Sequence, residues 1–155
     1  MKTEEAILLD NPLIYAALLY TFCKKMGKCD FIYPFLVLPL ITDERYSSII
    51  NTKGKKELFY LIKRVKGTGK ESFYTEYNRT ILRKKEIIFD ALKLCVDNNF
   101  ISFVNEDENT FLVVKKNMEI VDIVEWTMIK NFIKISDICS KTNVFQFISA
   151  MKVRI

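Results

Sequence analysis

The chain of 155 residues contains no histidine. That absence removes the commonest general base and the usual nitrogen ligand for zinc. Nucleophile systems of the Ser-His-Asp and Cys-His kind are excluded within this chain. Glycine and tryptophan are scarce, with four and one. No glycine loop fits the phosphate-cradling GxxxxGK[ST] pattern. At Gly67-Thr68-Gly69-Lys70 the residue five before Gly69 is Arg64, and Glu71 follows Lys70, so the segment reads as a turn between helices. No apolar run reaches the roughly 20 residues that span a membrane. The four cysteines, Cys23, Cys29, Cys95 and Cys139, form no CxxC pair, and a zinc site would need all four brought from distant places. The start, MKTEEAILLD, is polar and acidic rather than signal-like. The expectation is therefore a cytoplasmic protein with reduced thiols and neither metal nor cofactor. Cys95 lies on an apolar helix face and reads as core.

Apolar residues make up half of the chain, enough for a sizeable core, and its length suits one domain. Its most concentrated stretch is Phe31–Ile41, FIYPFLVLPLI, which is apolar throughout and holds Pro34 and Pro39. Two prolines argue against a central strand. The expected form is an extended lead-in at Phe31–Tyr33 and a short kinked helix from Pro34 to about Ile41.

Before it, Asn11-Pro12 signals a helix start, and Gly27 a stop after about Met26. Leu13, Ile14, Ala17, Leu18, Thr21 and Phe22 give one apolar face. Tyr15, Ala16, Leu19 and Tyr20 make the opposite side apolar as well. A helix apolar all round is buried on both sides, either inside the domain or against a partner. Tyr15, Leu19 and Tyr20 are the candidate partner interface, with Tyr15 and Leu19, or the neighbouring surface of Phe31–Ile41, expected to remain partly exposed in the isolated chain. The alternative is that helices at 119–135 and 144–151 cover them.

A short helix is expected after Thr42-Asp43-Glu44, and an amphipathic one over 57–66. The longest helix should run from about Tyr74 to Asp97, with Ile81, Leu82, Ile88, Phe89, Leu92 and Val96 as apolar positions. FISFV and TFLVV then flank the acidic loop 105–109 as a β-hairpin. Helical patterns return after Asn117, with Trp126 expected to pack the hairpin against the rest. The fold class is mainly α with one β-hairpin, a winged-helix-like α+β single domain over 1–155. It divides into a helical N-terminal region (1–66), a helix-plus-wing region (70–116) and C-terminal helices (117–155).

Net charge is +5, but between Lys53 and Lys85 11 basic residues face three acidic ones. Lys63, Arg64, Arg79, Arg83, Lys84 and Lys85 are the candidate nucleic-acid contacts. A solvated face or an acidic partner protein explains the same charge. The hairpin loop is acidic, which argues against a wing gripping phosphate.

Several of these features together resemble the middle component of bacterial three-component ABC-ATPase systems (ABC-3C), which include the Lamassu type. They are Asn11-Pro12 before an apolar helix, Phe35–Ile41, the central helix and hairpin, and the ending Phe147–Arg154. That family often closes on leucine-glycine-valine-arginine-proline; here Met151 and Lys152 replace leucine and glycine, and Ile155 replaces proline. The resemblance implies a non-catalytic adaptor between an SMC- or Rad50-like ATPase subunit and a nuclease-type effector subunit in an antiphage complex. A winged-helix DNA-binding protein or small transcriptional regulator is the alternative, and a small enzyme has least to recommend it.

Overall fold

The computed structural model describes residues 11–43, 70–116 and 126–154, with side chains of 74–116 and 133–154 in the last two stretches. Helix α1 (Pro12–Met26) is followed by strand β1 (Lys28–Asp30), α2 (Tyr33–Thr42), α3 (Lys70–Asp97), β2 (Ile101–Glu106), β3 (Asn109–Val114), α4 (Trp126–Ser140) and α5 (Val144–Ala150). The protein is mostly helical, with a small antiparallel sheet in the order β1-β3-β2. Among the described residues no helix is long and apolar enough to cross a membrane.

α1 begins as its sequence directs. The Asn11 side chain accepts a hydrogen bond from the Leu13 amide at 2.9 Å, Pro12 fills the first turn, and Gly27 ends the helix at φ 75. α3 is the longest element and lies against α1 and α2. Asn99, at φ 60, closes it: the Phe100 amide reaches back to the Cys95 carbonyl at 2.8 Å. The β2–β3 turn needs only Asp107 and Glu108, both at positive φ, as the tightest hairpins require.

Three local expectations are corrected. Residues 31–32 form a turn, not an extended lead-in, because the Asp30 carboxylate accepts the Ile32 amide at 3.1 Å and starts α2 at Tyr33. The hairpin gains a third strand, with Lys28, Cys29 and Asp30 pairing to Val113, Leu112 and Phe111. A three-residue strand with two charged members is too short for alternation to reveal it. α4 runs on to Ser140, because Ile135, Ile138 and Cys139 continue its buried stripe. The helices expected after Thr42 and over 57–66 lie outside the described residues, as does the Trp126 side chain.

Pro39 sits inside α2 and removes the amide that would bond the Phe35 carbonyl. One residue further on, the Leu36 carbonyl accepts the Tyr77 hydroxyl of α3 at 2.6 Å in the buried core. Tyr33 does similar work elsewhere. Its hydroxyl donates to the Thr142 carbonyl at 2.5 Å, and its ring meets Phe22 and Phe147 edge-on at 6.4 and 5.9 Å.

At the C-terminus the chain has Lys152 at a helix-cap position that glycine usually fills. α5 ends in a cap in which Val153 bonds back to Ile148 and Lys152 adopts φ 51. That left-handed conformation suits glycine best. Here the Lys152 ammonium lies 4.9 Å over the Tyr74 ring, which offsets some of the strain. The Asn78 side chain clamps this segment to α3, donating to the Lys152 carbonyl at 3.1 Å and accepting the Arg154 amide at 2.8 Å.

Because the Tyr77 hydroxyl is a buried donor bonded to the Leu36 carbonyl, Tyr77→Phe should lower unfolding free energy by about 1 kcal/mol. Urea denaturation of the two proteins measures this, and equal midpoints would remove the hydroxyl from the account of the α2–α3 joint.

Candidate partner interface

α1 is enclosed. Tyr15, Leu19 and Tyr20 are 0%, 0% and 2% exposed, which corrects the expectation at these residues, while Phe31, Ile32 and Phe35 of the neighbouring segment stay partly exposed. α3 is the most extensive neighbour of α1, and β3, α2 and α4 cover the other sides. The covering therefore comes chiefly from the long helix and the sheet, rather than from the C-terminal helices alone. The Tyr15 hydroxyl donates to Thr42 Oγ1 at 3.2 Å, and the Tyr20 hydroxyl donates to the Lys116 carbonyl. Both rings thus lie in the core with their polar tips satisfied. Both ends remain open, with Leu13 exposed in the first turn and Lys24 and Lys25 in the last.

The basic residues of α3 do not form one patch. Arg79 and Arg83 are exposed and one turn apart. Arg79 pairs with Glu76 at 2.6 Å, and Arg83 donates to Thr80 Oγ1 at 3.1 Å. Lys84 turns inward, its ammonium 5.6 Å from the Tyr15 ring centre. Lys85 is exposed. Lys63 and Arg64 lie outside the described residues. At the hairpin, Glu106 is bound by Lys28, whose ammonium also lies 4.3 Å over the Phe111 ring.

Two exposed residues were hidden in the apolar pattern. Leu82 and Phe89 read as core positions, yet they are 69% and 48% exposed. The doublets Ile81-Leu82 and Ile88-Phe89 each offer one residue to the core, and it is Ile88 that is fully buried. The spacing of the doublets was the available signal: the second member of each recurs after two helical turns on the outer face. Phe89 packs on Phe35 of α2 with ring centres 4.7 Å apart.

An open cleft of about 520 Å³ lies between the start of α1, Asp43 at the end of α2, and α3. Its charged lining is mixed, with Arg83 and Lys84 beside Asp43, Glu86 and Asp90. Among the described residues it presents no thiol or hydroxyl to act as a nucleophile. The four cysteines are all buried. A hydrogen bond with Cys23, followed by burial, raises the Cys29 thiol, and burial raises Cys139. No group of three or more Cys, Asp or Glu among the described residues is placed to hold a metal ion.

The fold is that of a small, mostly helical α+β protein. Over residues 1–155 the chain matches the ABC-three component (ABC-3C) system Middle Component 3 family, and it belongs to that family. A middle component implies partner components. No curated protein and no solved structure matches the chain.

Burial pushes the Cys95 thiol from 9.0 up to about 12. The folded state therefore holds the proton that the unfolded state releases, and this contribution is intact below pH 9 and lost as pH rises from 9 towards 12. Urea midpoints measured across that window should fall less steeply in Cys95→Ala than in the parent chain. Parallel slopes would mean that Cys95 ionises alike in both states.

Proposed function

We propose that this chain is a non-catalytic adaptor that bridges an SMC- or Rad50-like ABC ATPase subunit and a nuclease-type effector subunit in a cytoplasmic antiphage complex. The observation that carries the reading is family membership along the whole chain. The residue chemistry agrees with it. The chain offers no histidine, its four thiols are buried, and its open cleft carries charges of both signs with no thiol or hydroxyl among its lining residues. A bridging role needs outward surfaces rather than a reactive pocket, and exposed apolar residues such as Leu13, Phe103 and Phe145 supply them.

A winged-helix reading belongs beside this one. Its support is the order of elements: α3 leads directly into the β2–β3 hairpin, and a strand between α1 and α2 completes the sheet. This is likeness of fold, which by itself assigns no activity. If the module binds DNA, Arg79, Arg83 and Lys85 supply phosphate contacts, and affinity falls steeply with salt.

Co-expression with the neighbouring ATPase and effector tests the adaptor. All three should co-purify, and ATPase and effector should separate when this chain is omitted. A chain that elutes away from both overturns the reading. A duplex gel shift at low salt, lost on raising the salt, would favour the DNA-binding alternative.

A further inference from the structure

The outer face of α3 carries apolar residues and a charge pattern that helix stability does not explain. Leu82 and Phe89 lie two turns apart on one exposed stripe, and Phe35 widens it through its contact with Phe89. Along one flank of that stripe, Arg79 and Arg83 occupy the N-terminal half. Glu86, Asp90 and Asp97 follow on the same flank in the C-terminal half, all exposed. The last turn holds no basic residue and closes on Asp97. The helix dipole favours bases in that last turn, so Asp97 gains nothing from it. The polarity is therefore better matched by something outside the helix.

We propose that α3 pairs antiparallel with α3 of a second copy of this chain, through Leu82 and Phe89 across a two-fold axis near Glu86. In an antiparallel pair each flank faces the same flank of the other helix, with its direction reversed. Leu82 then meets Phe89 of the second copy, and the contact repeats by symmetry. Arg83 falls between Glu86 and Asp90 of the second copy, and Arg79 between Asp90 and Asp97. Lys85 lies on the other flank and meets that same flank of the second copy. Lys93, the cation of the C-terminal half, comes level with the turn that holds Glu76 and Arg79. A parallel pair would bring opposite flanks together and set Arg83 beside Lys85 of the second copy. Charge polarity thus selects both the orientation and a self-complementary occupant.

Sedimentation equilibrium of the purified chain tests this independently of its larger assembly. The parent chain should show a concentration-dependent monomer–dimer equilibrium. Leu82→Glu should raise the dissociation constant at least about tenfold. Its thermal midpoint, extrapolated to the monomer, should be unchanged, because Leu82 is exposed. Arg79→Glu with Arg83→Glu should abolish self-association. A second chain carrying Glu86→Lys with Asp90→Lys should also be monomeric alone, and mixing the two should restore a heterodimer. A parent chain that is monomeric up to its solubility limit overturns the proposal. So does a dimer indifferent to all of these changes, and so does a Leu82→Glu effect confined to binding of another component. A monomer that still bridges ATPase and effector would sink this pairing and leave the adaptor intact.

Discussion

The burial of the middle of α1 is the constraint from which the remaining arrangement follows. Fifteen residues between Asn11 and Gly27 include Tyr15, Leu18, Leu19, Tyr20, Phe22 and Cys23, all 2% exposed or less. Removing one large apolar side chain from water is worth about 1.5–3 kcal/mol, so no stable arrangement can leave this helix at the edge. α3 lies along it, α2 and α4 flank it, and β3 covers a further side. Even the short strand β1 fits this logic, since it places Cys29 in the core immediately after the helix turns at Gly27.

Burying so many tyrosines poses a polar problem, and its solution joins distant segments of the chain. Tyr15 reaches Thr42, Tyr20 the Lys116 carbonyl, Tyr33 the Thr142 carbonyl and Tyr77 the Leu36 carbonyl. An unmet buried hydroxyl would cost about 1–3 kcal/mol. Each of these bonds therefore restricts how neighbouring elements can slide. Hydrophobic burial sets which elements touch, and the hydroxyls help set their register.

Much of this was legible in the residues. Asn11-Pro12 and Gly27 bracket α1, the helix ending at Asp97 is where periodicity puts it, and FISFV with TFLVV are the hairpin. The family resemblance is shown by a match along the full chain. Exposure was less legible. Periodicity marks a residue as apolar but does not count the elements available to cover it. The second apolar side of α1 invited a partner, yet a 28-residue α3 and a third strand supply the cover from within. Conversely, Leu82 and Phe89 look like core in a helical pattern, and only packing separates them from Ile88 and Leu92. The strand β1 was invisible because its partner, β3, lies far away in the chain, beyond α2 and α3.

These reversals move the candidate partner surface from α1 to the outside of α3, and the claim rests on α1 being core rather than interface. Leu19→Glu tests that directly, because a charge placed at a fully buried position cannot be solvated without opening the fold. Thermal unfolding followed by circular dichroism should show loss of the cooperative native transition. A variant with an unchanged melting temperature and lost partner binding would contradict the account, and would return α1 to the interface.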